Sequence, residues 1–525
     1  MGQGRRNARV LALLGVSAAL VAAACGSDNS KSSGAATSAA TSGAATTSAA
    51  TSSAATSGAA TTAAAGGGGG AATCGGAVDT SLDAKYGVNA GQMAQILVCA
   101  KDKPLKADAS LPPFVLGLEN SQGDPSFTFP DITGGMQAVV SYINDNLGGI
   151  GGDPVKGKAG RPIKLETCFI GLDPSDSVRC ANELAGKKPV VVIQGFNNNS
   201  AGTYPVLDAA GVVNIAGIPV NLADYNAKGV YAPSPGGGCV GAHPALVEYA
   251  VKQLKAKSVA VAYYDIPNGR ICYHDLEKKP LNILAGTFQG PPGVTGSMPD
   301  VKNTGVPIDP KAPDLTTQAT QLLDSKPNAI LYSAPAASCV SLINALAGLG
   351  WSAKTSPAVF TSACFDQQQI EELGDKADGM YFVGAKDPFH PEAYEDGLLK
   401  TEAQAYVDAM KKYAPDITPS GFSAQMFQDT MLLWQVTANA AAKVGVDKLD
   451  HDTIVSAMGS TVNHHEWAAS PVSCGKSVDG YKSICNTLNS VTQWDAKAKT
   501  RKPVADNVDG AYIIAGTKLD PAVGG

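Results

Sequence analysis

The chain predicts an α/β fold with mainly parallel sheets. Three observations lead there. Strand and helix signals alternate from Phe114 to Val383. This stretch of about 270 residues holds nine strand candidates, more than one small sheet takes, which leaves two lobes or one barrel. The segment after it carries helix patterns at Glu402–Tyr413, Met426–Val444 and Asp452–Met458 with no clear strand between them. A regular eight-fold barrel would not drop its strands in that way.

The elements follow in order. Val88–Cys99 is partly apolar and is expected to pack as an extra N-terminal element. Phe114–Leu118 reads as the first core strand, followed by a polar loop. In Asp131–Asn146, Met136, Val139, Val140 and Ile143 recur at helical spacing, and Gly148, Gly149 and Gly151 end the helix. Ile163–Cys168, Pro174–Leu184 and Val190–Gln194 form a βαβ unit, with Asp173 or Ser175 near the helix start. Its second strand is a short β-branched run suited to a buried parallel position. GFNNNS (195–200) follows that strand. Ligands of open parallel sheets sit outside the carboxyl ends of strands, so this loop is either a binding edge or an Asn-rich turn.

Val212–Ile215 is the next strand, then IPVNLADY and a Gly-rich loop, Ser234–Gly238. No GK[ST] follows, so the loop is a weak phosphate cradle. His243–Leu254 reads as helix, Val259–Tyr263 as strand, and Ile283–Gly286 as another strand. Asp314–Leu323 is helical, Ala329–Tyr332 a strand, Ala337–Leu349 helical, and Val359–Thr361 and Met380–Val383 are strands.

The N-terminus is not fold material. Arg5, Arg6 and Arg9 precede an apolar run, Val10–Ala24, that is short for a membrane span and has the layout of a secretory leader. VAAACGS then resembles a bacterial lipoprotein signal, which implies cleavage after residue 24 and lipid on Cys25. The alternative is an ordinary signal peptide with an incidental Cys. Loss of the leader removes three positive charges from a chain of net charge -6. Residues 25–73 form an Ala/Ser/Thr/Gly tether that carries too little apolar surface to repay the entropy of ordering. With 40 Lys plus Arg against 46 Asp plus Glu, the chain offers no concentrated positive field, which argues against nucleic acid as partner.

Of 11 cysteines, ten remain beside Cys25. An even set in an exported chain suggests disulfides, though sequence leaves their connectivity open. Pairing of neighbours gives Cys74–Cys99, Cys168–Cys180, Cys239–Cys272, Cys339–Cys364 and Cys474–Cys485. None has CxxC spacing, and His274 near Cys272 has no second ligand at metal spacing, so no metal centre or cofactor is expected.

Several pieces, in order, now carry a resemblance: KLETCFIGLDPSDSVRCANEL, VVIQGFNNNS, VVNIAGIPV, SVAVAYYDIPNG, PDLTTQATQLLDSKPNAILYSAPAASCVSLINAL, GMYFVG, AQAYVDAMKKYAP and FSAQMFQDTMLLWQVTANAAAKVG. The segment from Phe114 to about Gly516 resembles the substrate-binding proteins of ABC transporters in the branched-chain amino-acid family. That resemblance implies two Rossmann-like lobes with parallel central sheets, joined by three crossovers around a ligand cleft. It implies an N-terminal extension at 74–112, a first lobe of 113–235 plus about 385–460, and a second of 236–384 plus about 461–525. It also implies capture of a small polar solute (an amino acid, amide or related compound) at the extracytoplasmic face of the membrane, and delivery to a permease. An extracellular sensor on the same fold is the alternative, and an exported hydrolase a weaker one.

Carried onto this chain, the ligand edges are Asn198, Asn199 and Ser200, then Ile218, Pro219 and Asn221 on the first lobe. On the second they are Asn268, Ser333, Ala334 and Ser362. Ser362–Cys364 stands where the family's ammonium-binding acid is expected, and Val220 replaces a hydroxyl, so an α-amino acid fits poorly. No GxSxG, HExxH or paired metal ligands occur, so no catalytic residue is assigned. NHHEW (463–467) is the most catalytic-looking cluster, and it reads more readily as a late surface turn.

Overall fold

The computed structural model describes residues 73–124, 127–386, 388–476 and 478–523. The leader, Cys25 and the tether up to residue 72 lie outside the described residues. Among the described residues no helix is long and apolar enough to cross a membrane.

Two sheets organise the chain. β1 (Phe114–Ser121), β2 (Ile163–Ile170), β3 (Val191–Phe196), β4 (Val213–Ile218) and β5 (Val230–Tyr231) form the first, in the order β2-β1-β3-β4-β5. All its pairings are parallel. β3 and β4 are buried at every position, as strands covered on both faces must be. The second sheet holds β6 (Ser258–Tyr264), β7 (Lys302–Ile308), β8 (Ala329–Ser333), β9 (Ala358–Thr361), β10 (Tyr381–Gly384), β11 (Asn489–Asp495) and β12 (Thr500–Val508). Its order is β12-β11-β10-β9-β8-β6-β7, and only β11 is reversed, pairing antiparallel with β10 and β12.

Both sheets therefore place their first strand between the second and third. Each has its topological switch point there, β1/β3 in one and β6/β8 in the other, where an open α/β sheet binds ligand. The chain leaves the first sheet after Tyr231, returns to the first core after Gly384, and re-enters the second sheet at Asn489. These are three crossovers between two α/β lobes.

The Gly421–Val444 helix is the spine of the first core. Ser420 starts it with a reciprocal capping box: its hydroxyl accepts from the Ser423 N–H at 3.1 Å, and the Ser423 hydroxyl accepts from the Ser420 N–H at 2.8 Å. It packs on the Pro130–Asn146 helix. There Gly135 permits close approach, since a Cβ would fall 2.4 Å from the Ser423 carbonyl oxygen. Helices Ser81–Tyr86 and Ala90–Asp102 precede β1, and the Cys74–Cys99 disulfide pins the second of them. The other disulfides are Cys168–Cys180, Cys239–Cys272, Cys339–Cys364 and Cys474–Cys485, so each cysteine among the described residues joins its neighbour in sequence.

One expected element is corrected, and one strand was not expected. Ile283–Gly286 is not a strand but the end of the Lys279–Ala285 helix. Its apolar run is as compatible with a buried helix as with a strand. The strand in that region is β7, KNTGVPI, an edge strand whose exposed first half and Gly and Pro hid it. Trp467, Val472, Tyr481 and Ile484 pack in the first core, and the crossover falls at Asn489.

Candidate functional site

A cleft opens where the carboxyl ends of both sheets meet. It leaves about 100 Å³ for the centres of water-sized molecules. Its first-lobe wall is aromatic. Phe196 ends β3, Phe127 and Phe129 follow β1, and Phe422 opens the long helix. Phe129 stacks on Phe196 with centroids 4.6 Å apart, Phe127 meets Phe196 edge-on at 5.2 Å, and Phe422 closes the cluster 5.9 Å from Phe196. Ile218 and Val220, after β4, extend this apolar wall.

The opposite wall is polar and comes from the second sheet. Tyr263 and Tyr264 end β6, Asn268 lies in the following helix, Ser333 ends β8 and Thr361 ends β9. Tyr263 stacks on Tyr273 at 4.2 Å, which holds its ring. The Thr361 hydroxyl donates to the Ser333 hydroxyl at 2.9 Å. Gln425 and Asn489 reach the cleft from the first core and the third crossover. Asn268 Oδ1, Gln425 Oε1 and Asn489 Oδ1 are buried and have no hydrogen-bond partner. Unpaired buried acceptors are expensive, so three such atoms beside one cleft stand out. Gly236, at φ +84°, makes room for Asn489: a Cβ there would fall 2.5 Å from Asn489 Oδ1. The Gly-rich loop is thus a crossover that admits the Asn489 amide.

On the cleft floor His243 Nδ1 lies 3.0 Å from Glu277 Oε1, both buried. Burial pushes the Glu277 carboxyl above its usual range, and the nearby His243 only partly offsets this. Glu277 arrives on a π-helical turn, His274–Lys278, within one helical run from Pro267 to Ala285. Such turns concentrate at functional sites. An acidic group therefore does line the cleft, although Ser362–Cys364 supplies none. Cys239 and Cys272 lie beside His243, and these are the only grouped metal-ligand side chains among the described residues. The disulfide removes the thiolates a soft metal requires.

The structure brings Ile218, Asn268, Ser333, Ala334 and Ser362 to the cleft. Asn198, Asn199, Ser200, Pro219 and Asn221 lie outside the cleft lining. GFNNNS turns inward and locks the loop. The Asn199 N–H donates to Asn197 Oδ1 at 2.7 Å, the Asn197 amide donates to Thr203 at 3.2 Å, and the Asn221 amide donates to the Asn197 carbonyl at 3.0 Å. The Ser200 hydroxyl donates to Asn221 Oδ1 at 2.8 Å and also bonds Asp224. Tyr204 adds a 2.6 Å bond to Asp224. Asn198 keeps a buried, unpartnered Oδ1 outside the cleft lining. The Pro219 carbonyl accepts from the Cys239 N–H at 3.2 Å, beneath the crossover. Sequence reasoning missed the phenylalanines because they come from three distant segments. A hint lay in Phe127 and Phe129 flanking one residue directly after a strand.

NHHEW is no surface turn. His465, Glu466 and Trp467 are fully buried in the first lobe, away from the cleft lining. His465 Nε2 meets Glu402 Oε1 at 2.6 Å, and His464 Nε2 meets the Asn89 amide at 2.9 Å. The cluster ties the N-terminal helices to the core.

Two similar lobes with a ligand-sized, partly unsatisfied cleft between their switch points define a two-lobe solute-binding architecture. The comparisons with known proteins agree with it. The profile of the family described as periplasmic binding protein matches residues 115–466, and the chain belongs to that family. Solved structures resemble it at low identity. A leucine-binding protein from Thermotoga maritima has 14% identity and a TM-score of 0.54, covering 75% of this chain and 98% of its own. An ABC transporter substrate-binding protein from Sphaerobacter thermophilus has 13% identity and a TM-score of 0.58, covering 76% and 100%. A solute-binding protein from R. palustris, in complex with benzoate, has 15% identity and a TM-score of 0.56, covering 76% and 97%. No curated protein matches by sequence.

Proposed function

We infer that this protein captures a small solute with an apolar body and a polar, uncharged end, and hands it to an ABC permease outside the membrane. The observation that carries the reading is the cleft itself: a four-phenylalanine wall faces unpaired amide oxygens across a narrow gap. Among the described residues no Lys or Arg lines the cleft, and His243 and Glu277 lie beside each other there. A neutral donor such as a carboxamide suits Asn268, Gln425 and Asn489 better than a bare carboxylate does. The leucine-binding and benzoate-bound relatives take ligands that likewise have apolar bodies. The leader and Cys25 support a lipid-tethered form at the extracytoplasmic face. Binding without turnover is the expected activity, because the cleft offers no nucleophile beside a base.

A thermal-shift and calorimetric series on the mature chain tests this. Benzamide and leucinamide are expected to raise the unfolding midpoint more than glucose, with binding stoichiometric and without product. Phe422→Ala is expected to weaken that binding about tenfold, because it removes one ring from a wall whose contacts are each worth about 1 kcal/mol. Preference for sugars over apolar amides, or turnover of the amide, would sink the reading.

A further inference from the structure

The cleft floor carries a cluster that capture of a neutral solute leaves unused. Cys239 and His243 stand four residues apart in the Gly238–Glu248 helix, so they share one face. Cys272 and Glu277, five apart, lie either side of the start of the His274–Lys278 π turn. The i→i+5 repeat of such a turn brings residues at that spacing onto one face. The two faces meet. All four side chains are buried, and all four line the cleft. One ligand atom each from Cys239, His243 and Cys272 lies within 4.8 Å of the others. Glu277 Oε1 faces His243 Nδ1 at 3.0 Å, close but without hydrogen-bond alignment. A carboxylate at Nδ1 leaves Nε2 for a metal and is the usual partner that orients a ligating imidazole. What the cluster lacks is thiolate, because Cys239 and Cys272 are joined.

We propose that reduction of the Cys239–Cys272 bridge turns the cleft floor into a site for a thiophilic divalent cation such as Zn²⁺, held by both thiolates and the His243 imidazole. The reductant is a small dithiol. It passes two electrons and two protons to the two sulfurs and closes to its own disulfide. The cation then displaces the two thiol protons, which leave to solvent. Two sulfurs and one nitrogen suit zinc, and with three protein ligands the fourth position is left to water in the cleft. Glu277 is a positioning residue, holding the ring from its far side. In an oxidising compartment the bridge is closed and the site silent, so the cation reports the redox state of the surroundings. The site does not depend on which solute the cleft takes.

Co²⁺ and Zn²⁺ are the probes, added to the mature chain after anaerobic treatment with dithiothreitol and removal of the reagent. The reduced chain is expected to bind a single Co²⁺ with the thiolate-to-metal absorption and visible bands of a tetrahedral site, to exchange it for Zn²⁺, and to bind none when oxidised. The reduced Cys239→Ser/Cys272→Ser variant keeps the other cysteine pairs and is expected to show no such absorption. His243→Ala and Glu277→Gln are each expected to weaken binding about tenfold or more, with the tetrahedral spectrum retained in Glu277→Gln. The same absorption in the oxidised chain or in the double serine variant, unchanged affinity in His243→Ala, or no Co²⁺ on reduced wild type of native circular dichroism would each overturn the proposal. Cys239→Ser decides the matter where reduction unfolds the chain. It needs no reductant and leaves the Cys272 thiol beside His243. A thiolate–Co²⁺ band that disappears in Cys239→Ser/His243→Ala supports the site, and absence of the band from Cys239→Ser overturns it.

Discussion

Replacing Glu402 with alanine is expected to destabilise the fold by about 3–5 kcal/mol, as for other buried pairs that lose one partner. Glu402 Oε1 lies 2.6 Å from His465 Nε2, and Oε2 accepts the Ala468 N–H at 2.8 Å. The other imidazole nitrogen, Nδ1, faces the Tyr86 carbonyl at 3.0 Å. Both partners of the ring are acceptors, so both nitrogens donate and the ring is an imidazolium. Burial is the largest single influence and lowers the His465 pKa, but the charge and hydrogen bond of Glu402, with the Tyr86 carbonyl and Asp83, together outweigh it and the net shift is upward. Alanine leaves that charge buried without a counter-ion and leaves the Ala468 N–H unpaired. The folded pKa is raised, so the stabilisation is full below the unfolded value near 6.5 and fades as pH rises through the folded one. The variant's deficit is thus largest in mildly acid solution. Urea unfolding followed by tryptophan fluorescence measures it, since Trp467 is two residues from His465. A loss below about 1 kcal/mol at pH 6 would show that the pair stabilises little.

Stability is also expected to fall between pH 5 and pH 8, with Glu119 a principal cause. Glu119 is buried on β1, where Oε1 accepts from the Thr203 hydroxyl at 3.1 Å and Oε2 has no partner. Desolvation pushes its pKa up to about 8, against hydrogen bonds from Thr203 and Asn197 that lower it. The folded state therefore keeps this proton where the unfolded chain has released it. The contribution is full below about pH 4.5 and drains away as pH approaches 8, at up to about 1.4 kcal/mol per pH unit. Burial raises Asp224, Asp429 and Glu466 in the same direction, Glu466 also through the charge of Asp429. Exposed Asp108, Asp173 and Asp314, whose pKa values are lowered by local hydrogen bonds, act only in stronger acid. Glu119→Gln keeps the shape and removes the titration. It is expected to stabilise the protein at pH 8 by an amount on the order of a few kcal/mol and to flatten the slope. Denaturation midpoints at pH 5, 6.5 and 8 test this, and a variant whose pH slope matched the wild type would exclude Glu119 as the cause.

Much of the architecture was legible because it rests on local signals. The buried runs of β3 and β4 announced a parallel sheet, and the apolar spacing in Met426–Val444 announced the spine helix. The site was less legible. Half of the expected edge residues, Ile218, Asn268, Ser333, Ala334 and Ser362, line the cleft. Within GFNNNS, NNNS (197–200) lies outside the cleft lining, since asparagine in a loop serves its own backbone as readily as a ligand. The choice went to Asn197, Ser200, Asn221 and Asp224, which bond one another across 28 residues of chain. NHHEW was misread for the related reason that polar residues look exposed until a buried partner as distant as Glu402 is known.

By itself, then, the sequence determined most strand and helix segments, the repeated βαβ order and the cysteine inventory, all properties of neighbours along the chain, while Ile283–Gly286 and β7 needed the structure. The tertiary structure alone decided which side chains share the cleft. Phe127, Phe129, Phe196 and Phe422 converge only when the ends of β1 and β3 and the long helix pack together in the first lobe. Binding chemistry depends on such long-range juxtaposition, and no local pattern encodes a partner hundreds of residues away.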